Sequence, residues 1–139
     1  MDKKVIGARL KKLNHAVARL KKMKEISAAA FERNQDYQDI VERNFQVAIQ
    51  TCIDIANYLI AGANLTAPDE EENIFILLGR NKIIPLKLAE QIKGMVGFRN
   101  ILVHDYLEIE TAQVYDLLQK RLTDFDKFAR VIVEYLDKK

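Results

Sequence analysis

Between Tyr37 and Ala63 the apolar residues Tyr37, Val41, Phe45, Ala48, Cys52, Ile55, Leu59 and Ala63 recur at three- and four-residue steps, and a second flank carries Val47, Ile49, Ile53 and Ile60. The first series is the stripe of an amphipathic helix; the second makes that helix apolar on more than one side. Such a helix has to be surrounded. It either runs through the middle of a helical domain or lies at an interface between copies of the chain. Before it, Ile6, Leu10, Leu13, Val17 and Leu20 mark a first helix over about residues 3–26, with Lys and Arg on its other faces. Ser27 is placed to cap a short turn of helix from Ala28 to Arg33.

Residues 62–67 read as a loop, and the run Thr66-Ala-Pro-Asp-Glu-Glu-Glu72 is expected to open a third helix, with its acids where the helix dipole favours them. The same run is therefore read as capping and not as a metal site. The pattern breaks over residues 79–84, Pro85 restarts it, and a fourth helix is expected to continue to near His104. Residues 110–137, with Val114, Leu117, Leu118, Leu122, Phe125, Phe128, Ile132 and Leu136 as the seam, predict one long final helix. No strand pair, repeat or Gly-rich phosphate loop interrupts this series. The expected fold is all-α: an up-and-down bundle of four to five helices forming a single domain over residues 1–139.

Composition bounds the class of protein. With 49% hydrophobic and 30% charged residues in 139, the chain has the make-up of a compact globular domain. Its longest apolar runs fall far short of the roughly 18 residues of a transmembrane helix, and the start MDKKVIGARLKK has no signal-peptide apolar stretch. No membrane association is expected, and the expected location is the cytoplasm. The single Cys52 has no metal-ligand partner at suitable spacing and reads as a small core residue. Neither a metal nor a cofactor is expected.

Charge is unevenly spread. Residues 1–24 hold nine Lys or Arg against Asp2 alone, a segment charge of +8, whereas the remaining 13 basic and 19 acidic residues give −6. A basic helix of this kind is either the solvated side of an amphipathic helix or a surface that gathers a polyanion such as RNA.

Against this background the stretch Phe98-Arg-Asn-Ile-Leu-Val-His-Asp-Tyr106 is unusual, because it gathers Arg99, Asn100, His104, Asp105 and Tyr106 at the end of an apolar helix. Arg99 and His104, five residues apart, stand roughly 140° apart around a helix, so they flank a surface instead of sharing one face. Gly94 and Gly97, each unfavourable in a helix interior, point to close approach by another helix, a partner subunit or a substrate backbone. Arg offers a permanent two-donor grip on phosphate. His exchanges protons near neutral pH. The pair is sufficient for metal-free cleavage of RNA, yet an Arg and a His near a helix end also serve as an ordinary cap and ion-pair partner.

Arg99-Asn100-x-x-x-His104 resembles the Arg-polar-x3-His signature of the HEPN superfamily, and with Asp105 and Tyr106 it is similar to the Arg-x4-His-x-Tyr motif of the HepT toxin family. The stretch ERNFQVAIQTCIDIANYLI, residues 42–60, is similar to that family's second helix, and chain length and motif position agree as well. The resemblance implies a homodimeric ribonuclease toxin paired with a minimal nucleotidyltransferase (MNT) antitoxin. In such a dimer Arg99 and His104 of both copies meet in one cleft, and the antitoxin inhibits by transferring AMP to Tyr106. Asn100 and Asp105 are then supporting residues, Asp105 at a variable position of the motif.

Asp54, within the apolar part of the second helix, has either a structural salt bridge or the task of orienting Arg99 or His104. His15 reads as exposed and inert, and Tyr37, Tyr58, Tyr115 and Tyr135 as core or half-buried packing. A competing function is a non-catalytic subunit that binds substrate or nucleotide for the transferase. That the chain is itself the transferase is poorly supported: its Asp124-x-Asp126 lies inside the last predicted helix, where alternate residues point to different faces.

Overall fold

The computed structural model describes residues 2–70, 73–104 and 111–138, with side chains throughout except at residues 100–104. The elements among the described residues are all helices: α1 (Lys3–Met23), α2 (Ala28–Arg33), α3 (Gln35–Gly62), α4 (Asn73–Arg80), α5 (Leu86–His104), α6 (Thr111–Lys120) and α7 (Leu122–Asp137). The all-α expectation holds. The number of elements exceeds four to five because the short α2 stands apart from α3 and because the expected final helix is two.

Local chemistry sets the boundaries. Asp2 Oδ1 accepts from Lys4 N at 2.8 Å, Ser27 Oγ from Ala30 N at 3.1 Å and Asn34 Oδ1 from Tyr37 N at 3.2 Å, each satisfying an orphan donor of a first turn. Asn34 ends α2 and starts α3 in an extended conformation, so the chain turns there without a loop. At the break between α6 and α7, Arg121 is drawn away from helical geometry. Its Nε donates to Asp124 Oδ2 at 2.8 Å and its Nη2 to the Gln91 carbonyl of α5 at 3.3 Å. One non-helical residue barely shifts the apolar register, which is why the sequence reads as continuous across it.

The acidic run departs from expectation. Helix α4 begins at Asn73 with no acid in its first turn; Asn73 N donates to the Glu70 carbonyl at 3.0 Å, so Asp69 and Glu70 precede the helix. Burial decides the start: the helically spaced buried residues are Ile74, Phe75 and Leu78, and nothing apolar on 69–72 extends the stripe backwards.

The four longer helices α1, α3, α5 and α7 build the bundle, with α3 at its centre. Helix α3 contacts α1, α2, α4, α5 and α6, so its several apolar flanks are accounted for within one chain. Phe45 of α3 meets Phe98 of α5 edge-on at 5.8 Å and Phe125 of α7 at 6.4 Å, and Phe75 meets Phe128 at 5.9 Å. Cys52 is buried, and burial pushes its thiol up, leaving it unreactive. Gly94 and Gly97 have open space where a Cβ would stand, so no other helix among the described residues presses on them. The close approach belongs to Gly79, where an added Cβ would come within 2.9 Å of Leu86 Cδ1 and 3.1 Å of Ala89 Cβ, locking α4 onto α5. No helix among the described residues is long and apolar enough to cross a membrane.

Candidate functional site

Phe98, buried against Phe45, fixes the rotation of α5 about its axis, so that Arg99 emerges at the half-buried edge facing α3. Its Nη2 donates a hydrogen bond to Gln50 Oε1. Gln50 in turn donates through Nε2 to Asp54 Oδ1 at 3.0 Å. The two contacts orient the amide in one sense: a carboxylate only accepts, so it draws the NH2 end of Gln50 and leaves the oxygen for the guanidinium. The main chain at Asp54 is also tied to α1, since its backbone carbonyl accepts from Arg9 Nη1 at 3.1 Å and Arg9 stacks over Tyr58 at 5.4 Å. The side-chain contacts run from Asp54 through Gln50 of α3 to Arg99 of α5. Asp54 reaches Arg99 through Gln50, a residue the sequence reasoning passed over.

The hollow beside Arg99 has a volume of about 220 Å³ and is lined by Lys12 of α1, by Arg43, Gln46, Val47 and Gln50 of α3, and by Arg99. Among the described residues its charged lining is cationic, Lys12, Arg43 and Arg99, which suits an anionic ligand such as a phosphodiester. Among the described residues no group of three or more His, Cys, Asp or Glu is arranged to hold a metal ion.

Helix α5 extends to His104, so Arg99 and His104 belong to one helix and keep their angular offset. The side chains of Asn100 and His104, and the whole of Asp105 and Tyr106, lie outside the described residues. His15 is exposed, and Tyr37, Tyr58, Tyr115 and Tyr135 are half-buried. Asp124, of the rejected Asp-x-Asp pair, is buried against Arg121 while Asp126 is an exposed partner of Lys21, so the two carboxylates do not face one site.

With Arg99 and its cationic hollow located, the comparison with known proteins is decisive: the sequence model of the family described as Ribonuclease HepT-like matches residues 13–132. The chain belongs to that family. It is 36% identical to the mRNA nuclease HepT of Shewanella oneidensis over 115 residues, 81% of this chain and 86% of that one. It is 31% identical to the tRNA nuclease HepT of Aphanizomenon flos-aquae over 132 residues, 95% of this chain and 90% of the relative. A solved structure of the tri-AMPylated Shewanella oneidensis HEPN toxin in complex with MNT antitoxin matches with a TM-score of 0.88 at 32% identity, covering 96% of this chain and 99% of the other. The HepT-like and HEPN assignment made from Arg99, His104 and the residue 42–60 stretch thus stands.

In this HepT-like chain Gln50 of α3 is one partner of Arg99. Gln50 was within reach of sequence reasoning, since it lies four residues before Asp54 and so on the same face of α3. What was missing was the rotation of α5, which the tertiary packing of its buried residues, Phe98 among them, supplies.

Proposed function

We propose that the chain is a ribonuclease toxin that acts on RNA with Arg99 and His104, as a homodimer, under the control of an MNT-type nucleotidyltransferase. The observation that carries this reading is Arg99, bonded to Gln50, at the rim of a hollow whose charged lining among the described residues is Lys12, Arg43 and Arg99. Names of the relatives agree with it, since two are called nucleases of mRNA and of tRNA.

In the proposed reaction the ribose 2′ oxygen attacks the adjacent phosphorus as His104 takes its proton. The bond to the 5′ oxygen breaks, and that oxygen gains a proton from an imidazolium. Arg99 holds the equatorial charge of the phosphorane with its planar donors, and its attachment to Gln50 fixes that grip before substrate arrives. A dimer that brings two motifs into one cleft supplies one His as base and the other as acid, and it gives a reason for the open space at Gly94 and Gly97, which a second copy of α5 would fill. The scheme asks nothing of a metal. AMP placed on Tyr106, two residues beyond His104, adds a phosphate charge and bulk where the scissile phosphate has to sit; the AMPylated Shewanella toxin makes this mode of control the natural expectation.

The test is cleavage of RNA by the purified protein in EDTA. Activity should vanish in His104→Ala and fall sharply in Arg99→Lys, which keeps the charge and loses the two-donor fork. Undiminished cleavage in both variants would remove the site, and a wild-type protein that binds RNA or the transferase without cleaving would favour a non-catalytic subunit instead.

A further inference from the structure

Next to the hollow at Arg99 lies a larger groove of about 500 Å³ between α1 and α3, whose basic lining is Lys11, Lys12, His15, Arg19 and Arg43. Lys12, Arg43 and Val47 line both, so the two are one continuous depression that ends at Arg99. Its cause is local: α1 presents the small Ala8 and Ala16 toward α3 at this level, leaving a shallow floor between the longer cationic side chains. Among the described residues no carboxylate lines either part. Two basic residues of the N-terminal segment are engaged elsewhere, Lys21 with Asp126 at 2.8 Å and Arg9 with the Asp54 carbonyl. The side chains of Lys11, Lys12, Arg19 and Arg43 make no hydrogen bond or ion pair with another described residue.

We propose that this α1–α3 groove is a track for the phosphate backbone of single-stranded RNA, delivering the strand to Arg99; the proposal rests on the ribonuclease reading given above. Cations converging from two helices on one depression differ from the solvated side of a single basic helix, which would scatter them outward. From Lys12 to Arg19 the track spans about 10 Å along α1, enough to meet more than one phosphate of an extended strand. The apolar floor at Ala16 and Val47 receives sugar and base faces without selecting among them. Among the described residues no aromatic side chain lines the groove for stacking, and the NH2 of Asn44 already donates to the Ile40 carbonyl at 2.7 Å. The track therefore supplies affinity and direction, while sequence preference has to arise elsewhere.

Binding of a fluorescent single-stranded RNA carrying 2′-O-methyl groups, which cannot be cleaved through the 2′ oxygen, tests the track by anisotropy over a range of salt. Each phosphate contact contributes about 0.7 to the slope of log affinity against log salt for a single strand. Lys12→Gln/Arg43→Gln should bind more weakly, with the slope lowered by about 1.4, whereas the equally discharged Lys87→Gln/Lys138→Gln, at exposed positions away from the groove, should keep the wild-type slope. Equal losses in both pairs, no loss in the first pair, or no binding by the wild type would overturn the track. So would a Lys12→Gln/Arg43→Gln protein that keeps its RNA affinity and loses only the nucleotidyltransferase, since the groove would then face a protein. If the slopes shift as expected while ordinary RNA stays intact in the wild type, the ribonuclease reading fails and the track stands.

Discussion

Replacing Gln50 by Leu is the most informative single change, because it keeps helix propensity and bulk while deleting the oxygen that Arg99 grips and the NH2 that Asp54 accepts from. A hydrogen bond to a charged group contributes roughly 1.5–3 kcal/mol, and about 1.4 kcal/mol corresponds to a factor of ten in rate. If the held orientation of Arg99 is used in the transition state, kcat/KM for RNA cleavage should fall by roughly 10–150-fold. Thermal stability should move little, since Gln50 is only half-buried and both of its bonds lie at the open edge of α3. The deciding measurement is a double-mutant cycle in single-turnover cleavage. In an Arg99→Ala background, Gln50→Leu should remove almost nothing more, because its effect passes through the missing guanidinium. Equal losses in the two backgrounds would refute the reasoning, showing that Gln50 acts on substrate or on the fold and not through Arg99.

Tyr106→Phe should leave RNA cleavage intact yet gain no mass on incubation with an MNT-type nucleotidyltransferase and ATP, as read by intact-protein mass spectrometry; adducts on the variant equal to those on the wild type would remove Tyr106 as the acceptor. Arg121→Ala strips the partner from the buried Asp124 carboxylate and unties α7 from the Gln91 carbonyl, so urea unfolding should show a loss of roughly 1.5–3 kcal/mol, with Arg121→Lys recovering part of it. Glu42 is held above its ordinary 4.5, first by burial and then by the neighbouring Asp39 charge. A raised carboxyl binds its proton more tightly when folded, so wild-type stability is lost as pH rises through the folded value. Glu42→Gln should match wild type in acid and be the more stable protein at neutral pH, and a stability gap that does not change with pH would contradict this.

How much of this was legible beforehand follows from what each signal depends on. The stripes of α1, α3 and α7 and the cap at Ser27 rest on residues close in the chain, and periodicity and side-chain chemistry are enough for them. The break at Arg121 was hidden because its cause is a carbonyl on another helix, Gln91, and because one residue out of helix leaves the apolar register almost intact. Asp69 and Glu70 satisfy the dipole rule by position and yet lie before α4, whose buried residues begin at Ile74, while Glu71 and Glu72 fall outside the described residues. Glycine was informative at an unexpected position: Gly94 and Gly97 face open space, and Gly79, taken as a mere interruption, is the one packed too closely for a side chain. For the candidate site, Arg99 and Asp54 stood out by residue type alone, whereas Gln50 needed the knowledge that α5 turns Arg99 toward α3.

The polar residues of α3 carry a signal of their own. Arg43, Gln46, Gln50 and Asp54 follow one another at steps of three, four and four, the spacing of a single helix face, inside a helix whose other faces are buried against five neighbours. A central helix of this kind can keep a polar stripe only along the side its neighbours leave uncovered, since the same groups buried elsewhere would lack partners. The stripe therefore marks the opening in the bundle. Helix α5 brings Arg99 to that opening and α1 brings Lys12, so the residues that would meet a phosphate come from three helices while their place is dictated by one. The apolar residues of α3 set the fold, and the polar face of Arg43, Gln46, Gln50 and Asp54 sets where the fold can act.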